Sequence, residues 1–195
     1  EHVLAVSYLS FSQVENAHVY DLLPIPFTED AIQHVAQKIN QAQDFLERKI
    51  VLENVSYYTV LHQDIPEVEF INEIVNRTNC DLLLDVNNVF VNANNHKYNA
   101  KEYIDQVNFE HVKYIHMAGH RRVNENLIID THGSAIIDPV YELFHYTMQK
   151  MHKDVPVLLE RDFNIPEMKE LQTEIDNLKR IKKAALNKQD YAIIE

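Results

Sequence analysis
The chain has 195 residues, 46% of them apolar and 25% charged, with 18 basic against 30 acidic side chains and a net charge of −12. That balance suits a globular protein, the length allows one domain with one sizeable core or about two small domains, and the negative charge argues against a nucleic-acid backbone or an anionic membrane surface as partner. The one cysteine, Cys80, excludes an internal disulfide framework and a Cys-rich zinc site and fits a reducing, cytoplasmic setting; no apolar run approaches the ~18 residues of a membrane span.

In chain order, short Val/Ile/Leu-rich runs alternate with helical patterns. His2 to Ser7 is a first strand candidate. Thr28-Glu29-Asp30 supplies an N-cap and an acidic first turn for a helix to about Arg48, with Ile32, Val35, Ile39, Ala42 and Leu46 inward. Lys49 to Glu53 is the next strand, and Pro66 opens a helix with Val68, Ile71 and Val75 on one face. Strand Asp81 to Val86, a short helix over about 100–107 and strand Val112 to His116 follow. Leu127 to Asp130 reads as another buried strand, and Asp138-Pro139 opens a helix with Val140, Leu143, Phe144 and Met148 inward. Strand Val155 to Glu160 and a helix from Pro166, striped by Met168, Leu171, Ile175, Leu178 and Ile181, close the series. Such alternation predicts βαβ units and a parallel sheet in one domain over 1–195. Six strands fit either a small open α/β sheet or a (β/α)8 TIM barrel without its first two strands.

Five successive strands end in a side chain able to bind metal: Glu53, Asp85, His116, Asp130 and Glu160. Asp130 and His132 share a strand face by their spacing, and His2 stands at the chain start. A single carboxylate after a strand is commonly a helix cap. A whole series on the C-terminal rim of a parallel sheet would crowd carboxylates that need cations. Imidazole and carboxylate without thiolate suit iron, manganese or zinc, and this many ligands suit two or three ions. The two glycines, Gly119 and Gly133, both adjoin histidines.

Longer motifs carry a family resemblance. Glu1-His2-Val3, Asp21-Leu22-Leu23-Pro24-Ile25-Pro26-Phe27-Thr28 and Leu52-Glu53-Asn54 come first. Leu84-Asp85-Val86-Asn87-Asn88, Asn94-Asn95-His96 and Ile115-His116-Met117-Ala118-Gly119-His120 follow, then Ile129-Asp130-Thr131-His132-Gly133 and Leu159-Glu160-Arg161-Asp162-Phe163-Asn164-Ile165-Pro166. Across essentially the whole chain these resemble the multinuclear non-heme iron-dependent oxidative enzymes. Relatives of the methanobactin-biosynthesis iron oxygenase and uncharacterised UPF-type TIM-barrel proteins belong to that family.

The resemblance implies a (β/α)8 barrel holding two or three irons in mixed Fe(II)/Fe(III) states, with O2 as co-substrate. It implies oxidation at cysteine of a ribosomally made precursor peptide, presented by a partner protein. On this chain it implies His2, Glu53, Asp85, Asn88, His116, Asp130, His132 and Glu160 as metal ligands. Asn54, Asn87, His96, His120 and Arg161 fall in matching motifs as residues that orient ligands or meet substrate. Family members carry a further N-terminal stretch with the first two strands and another histidine, so this chain is expected to be partial and not to turn over as it stands. Competing readings are a sugar isomerase-like or endonuclease IV-like metal enzyme on the same barrel, and a non-catalytic metal- or peptide-binding module. The −12 charge weighs against the nuclease.

Overall fold
A computed structural model describes residues 6–8, 10–14 and 17–187, so the first strand candidate is seen only in part and His2 lies outside the described residues. Strands and helices alternate along most of the chain. The elements are β1 (Val6–Tyr8), β2 (Ser10–Val14), β3 (Ala17–Pro24), α1 (Glu29–Leu46), β4 (Val51–Glu53), α2 (Glu67–Thr78), β5 (Asp81–Asp85) and α3 (Val86–His96). Then come α4 (Ala100–Gln106), β6 (Val112–Ala118), β7 (Arg121–Asn124), β8 (Leu127–Ile129), α5 (Asp138–Met151), β9 (Val157–Glu160) and α6 (Met168–Leu186). They group into two compact units, residues 1–84 with 106–113, and residues 85–105 with 114–195.

In the first unit β4 runs parallel to both β1 and β5, with Leu52 level with Ser7 on one side and Leu82 on the other. Every residue of β4 is buried, as expected for a strand covered on both faces. Thr28 caps α1 by accepting from the Ala31 N–H at 3.3 Å, and Glu29 and Asp30 fill the first turn. The helix ends where Glu47 takes a left-handed conformation. Gln43 then joins helix to sheet: its amide donates to the Thr78 carbonyl and its Oε1 accepts from the Ile50 N–H. Ile32, Phe70 and Ile74 are wholly buried between these elements, each contributing about 1.5–3 kcal/mol of apolar burial.

In the second unit β6 pairs parallel with β9, His116 level with Leu158 and Ala118 with Glu160. Helices α5 and α6 pack against each other, and α3 packs on α5 and on β8. Pro139 sits in the first turn of α5, where its missing N–H costs nothing, and Val140, Phe144 and Met148 are fully buried. On α6 the inward residues are Leu178 and Ile181, whereas Met168 is exposed, so the helical stripe meets the core only in its later turns.

Three segments differ from the sequence expectation. Leu127 to Asp130 is not a buried parallel strand. Leu127–Ile129 pairs antiparallel with β7 as a hairpin, because Asn124 Oδ1 accepts from the Asn126 N–H and turns the chain back at once. Residues 10–24 form a second antiparallel hairpin, β2–β3. Helix α3 was not expected from its run of asparagine and valine, both weak helix formers. Burial of Val86, Val89 and Val91 and the Asp85 cap outweigh that preference. Among the described residues no helix is long and apolar enough to cross a membrane.

Candidate metal centre
The second unit gathers most of the predicted ligands. Asp85, fully buried, closes β5 and caps α3 by accepting from the Asn88 N–H at 2.7 Å. Asn88 itself lies buried in the first turn of α3. His116, on β6, places Nδ1 3.1 Å from Glu160 Oε2 at the end of β9. His132 stands between carboxylates, with Nε2 2.9 Å from Asp130 Oδ1 and Nδ1 3.7 Å from Glu160 Oε2 and 3.2 Å from Asp162 Oδ2. Ligand atoms of Asp85, His132 and Glu160 lie within 4.8 Å of one another, close enough to share an ion. Asp130, His116 and His132 are nearly buried, while Glu160 and the half-exposed Asp162 mark the side open to solvent.

The backbone is specialised to make this approach. His132 adopts φ of 49°, a left-handed conformation that non-glycine residues take at some cost. A Cβ on Gly119 would lie 2.0 Å from the Ser134 carbonyl oxygen, so only glycine lets the end of β6 touch the loop that follows His132. At Gly133 a Cβ would meet the Phe163 Cβ at 3.2 Å. Both glycines therefore serve the same corner of the molecule.

The electrostatics favour a positive charge among these carboxylates. Burial opposes a charge on His132, but the contact with Asp130 and the nearby Glu160 carboxylate prevail and raise its pKa to about 11. The same contacts, from His116 first and then His132, hold the Glu160 carboxyl far below the usual carboxylate range. A proton on His132 thus balances the acidic groups around it. Imidazole and carboxylate donors without thiolate make a set suited to iron, manganese or zinc.

The remaining expected residues fall in several places. Glu53 ends β4 in the first unit and is buried, with Asn54 buried beside it in sequence. Asn87 and His120 lie in the second unit, joined by a 2.8 Å contact between Asn87 Oδ1 and His120 Nδ1. His96 is in the last turn of α3, about 16 Å along that helix from Asp85. Arg161 turns to Glu174 on α6, with Nη2 2.5 Å from its carboxylate. Glu174 also accepts from the Ile136 N–H at 2.8 Å and so ties the loop beyond His132 to α6. Asp162 and Glu174 belong to the site without standing at a strand end. Asp162 follows Glu160 by two residues and was visible as a further carboxylate in the same motif, whereas Glu174 looks like any acidic residue of a charged helix.

A β/α fold with a histidine–carboxylate cluster at strand ends is that of a TIM-barrel-like protein with a candidate metal centre. In fold it is similar to the crystal structure of an IOLI protein with a bound zinc atom, with a TM-score of 0.54 at 18% identity over 97% of this chain and 64% of that one. A xylose isomerase domain protein from Alicyclobacillus acidocaldarius is also similar, with a TM-score of 0.50 at 11% identity over 93% of this chain and 64% of that one.

Residues 1–183 match the family described as RiPP precursor modification enzyme MbnB/TglH/ChrH, and the chain belongs to that family. The UPF0276 protein of Acinetobacter baylyi is 47% identical over 172 residues, 88% of this chain and 59% of that protein. That of Nitrosospira multiformis is 47% identical over 174 residues, 89% of this chain and 61% of that protein. The chain thus spans about three fifths of the length of these curated relatives.

Proposed function
We propose that the chain carries the metal-binding part of an iron-dependent oxidoreductase. Its substrate is a cysteine-bearing precursor peptide made by the ribosome and presented by a partner protein. The observation that carries this reading is the cluster of Asp85, His116, Asp130, His132 and Glu160 in a chain that belongs to a peptide-modifying family.

In this reading those five side chains hold the metal, two or three iron ions in all. Iron held there supplies the redox chemistry with dioxygen, and its affinity for thiolate selects cysteine. The protein's own part is to orient and to balance charge. Asp85 stays fixed by its role as helix cap, His132 is clamped between Asp130 and Glu160, and Glu160 stands at the solvent side where a peptide would enter. Metal binding must displace the proton that His132 carries in its absence.

A second reading rests on the donor set alone: a zinc or manganese enzyme of the sugar isomerase-like kind on the same fold. Elemental analysis of the chain, purified under argon without added metal, separates the two. Two or three irons per chain, lost together in Asp85→Ala, support the oxidoreductase. One zinc or manganese per chain supports the second reading, and no stoichiometric metal overturns both.

A further inference from the structure
Asp130 is held from a side that the metal ligands do not supply. Its Oδ1, which faces His132 Nε2, also accepts from Asn87 Nδ2 at 2.8 Å. A carboxylate only accepts hydrogen bonds, so the amide NH2 of Asn87 must face Asp130 and its carbonyl oxygen must face the other way. There it meets His120 Nδ1 at 2.8 Å. An amide carbonyl also only accepts, so the proton of His120 has to sit on Nδ1. The order of donors and acceptors along His120, Asn87 and Asp130 is therefore fixed by chemistry.

The surroundings preserve that order. Asn87 is fully buried in the first turn of α3, and His120, almost fully buried, directly follows Gly119 beyond β6. Phe90, one turn along α3, stacks on the His120 ring at 5.3 Å with planes 18° apart and sets the ring's orientation. Burial, with the positive charge of Arg122, lowers the His120 pKa and keeps the ring neutral. A neutral ring with one proton can serve only one nitrogen, and the geometry assigns it to Nδ1.

We propose that His120 is a positioning residue: a neutral imidazole whose Nδ1–H locks the Asn87 amide, which in turn locks the Asp130 carboxylate against His132. Its consequence for metal rests on the reading of Asp130 and His132 as ligands; its geometry does not. Without the Nδ1 donor, the Asn87 amide loses its reason to present NH2 to Asp130, and the carboxylate loses its hold on that side. Removing partners of this kind typically weakens metal binding 10–100-fold.

Two measurements on the 195-residue chain test it. Long-range 1H–15N correlation spectra of the histidine-labelled, metal-free protein at pH 7–8 should show His120 neutral with its proton on Nδ1. Asn87→Leu should abolish that preference. Ferrous iron affinity, measured under argon by competition with a chromophoric chelator, should fall 10–100-fold in His120→Leu and recover substantially in His120→Asn, whose amide NH2 replaces Nδ1–H. An Nε2–H tautomer in the unsubstituted chain, or equal iron affinity in His120→Leu, overturns the proposal. If the unsubstituted chain binds no iron, the metal reading fails, and the tautomer alone decides the relay. Should His120→Leu not fold, His120→Asn and the spectra of the unsubstituted chain still decide.

Discussion

At the scale of the residue, the centre is a balance between a proton and a metal ion. His132 keeps its proton until about pH 11 because Asp130 and Glu160 flank it. A metal ligand must be neutral, so binding at pH 8 should release close to one proton, and apparent affinity should rise about tenfold per pH unit between pH 7 and 9. Calorimetry in two buffers of different ionisation enthalpy reads the released proton directly; equal heats in both would show that His132 is not displaced. Gly119 offers a second test of local geometry. Gly119→Ala would drive a methyl into the Ser134 carbonyl, so it should cost about 3 kcal/mol or more in urea unfolding, far above an ordinary surface exchange. Cys80 is the opposite case, a buried thiol whose pKa burial raises; it should resist a thiol reagent at pH 8 until the chain is unfolded.

At the scale of the element, Asp85 has two jobs that substitution can separate. Asparagine caps a helix as well as aspartate does, whereas alanine does not. Asp85→Asn should therefore leave the thermal midpoint of the metal-free chain nearly unchanged while weakening metal binding. Asp85→Ala should lose both, with about 1 kcal/mol of stability from the cap alone. This duality explains how far the site could be read from the sequence. A carboxylate closing an apolar strand is visible as a pattern, and Asp85, Asp130 and Glu160 were legible because each ends or directly follows a strand, whereas β6 runs on past His116 to Ala118. Asp130 remained legible even though its strand belongs to a hairpin, since strand ends are marked by composition and pairing direction is not. Helix α3 stayed hidden because weak helix formers are held there by burial, which depends on distant residues. The bond from Glu174 to Ile136 was hidden for the same reason: 38 residues separate the partners.

At the scale of the whole molecule, the same charges set a pH window. Glu160 is depressed in the folded chain, so its stabilisation is fully present above the ordinary glutamate value of about 4.5 and is lost as pH falls through the folded value. His132 is raised, so its stabilisation is fully present below about 6.5 and is lost as pH rises through about 11. The metal-free chain should thus be most stable between about pH 4.5 and 6.5. Metal, which takes the proton's place, should move that optimum above 7, as thermal scans with chelator and with added ferrous iron would show. A net charge of −12 adds a general preference for cations, which salt should weaken, whereas the shift of the optimum with metal should persist.

The buried pair of Glu174 and Arg161 gives the centre a natural clock. Glu174 accepts the Ile136 N–H with one oxygen and holds Arg161, next in sequence to Glu160, with the other. The Ile136 amide proton cannot trade with solvent until that carboxylate lets go. Its exchange rate therefore counts how often this tie beside the centre opens, and comparing it with the amides of fully buried β4 would tell local opening from loss of the whole fold.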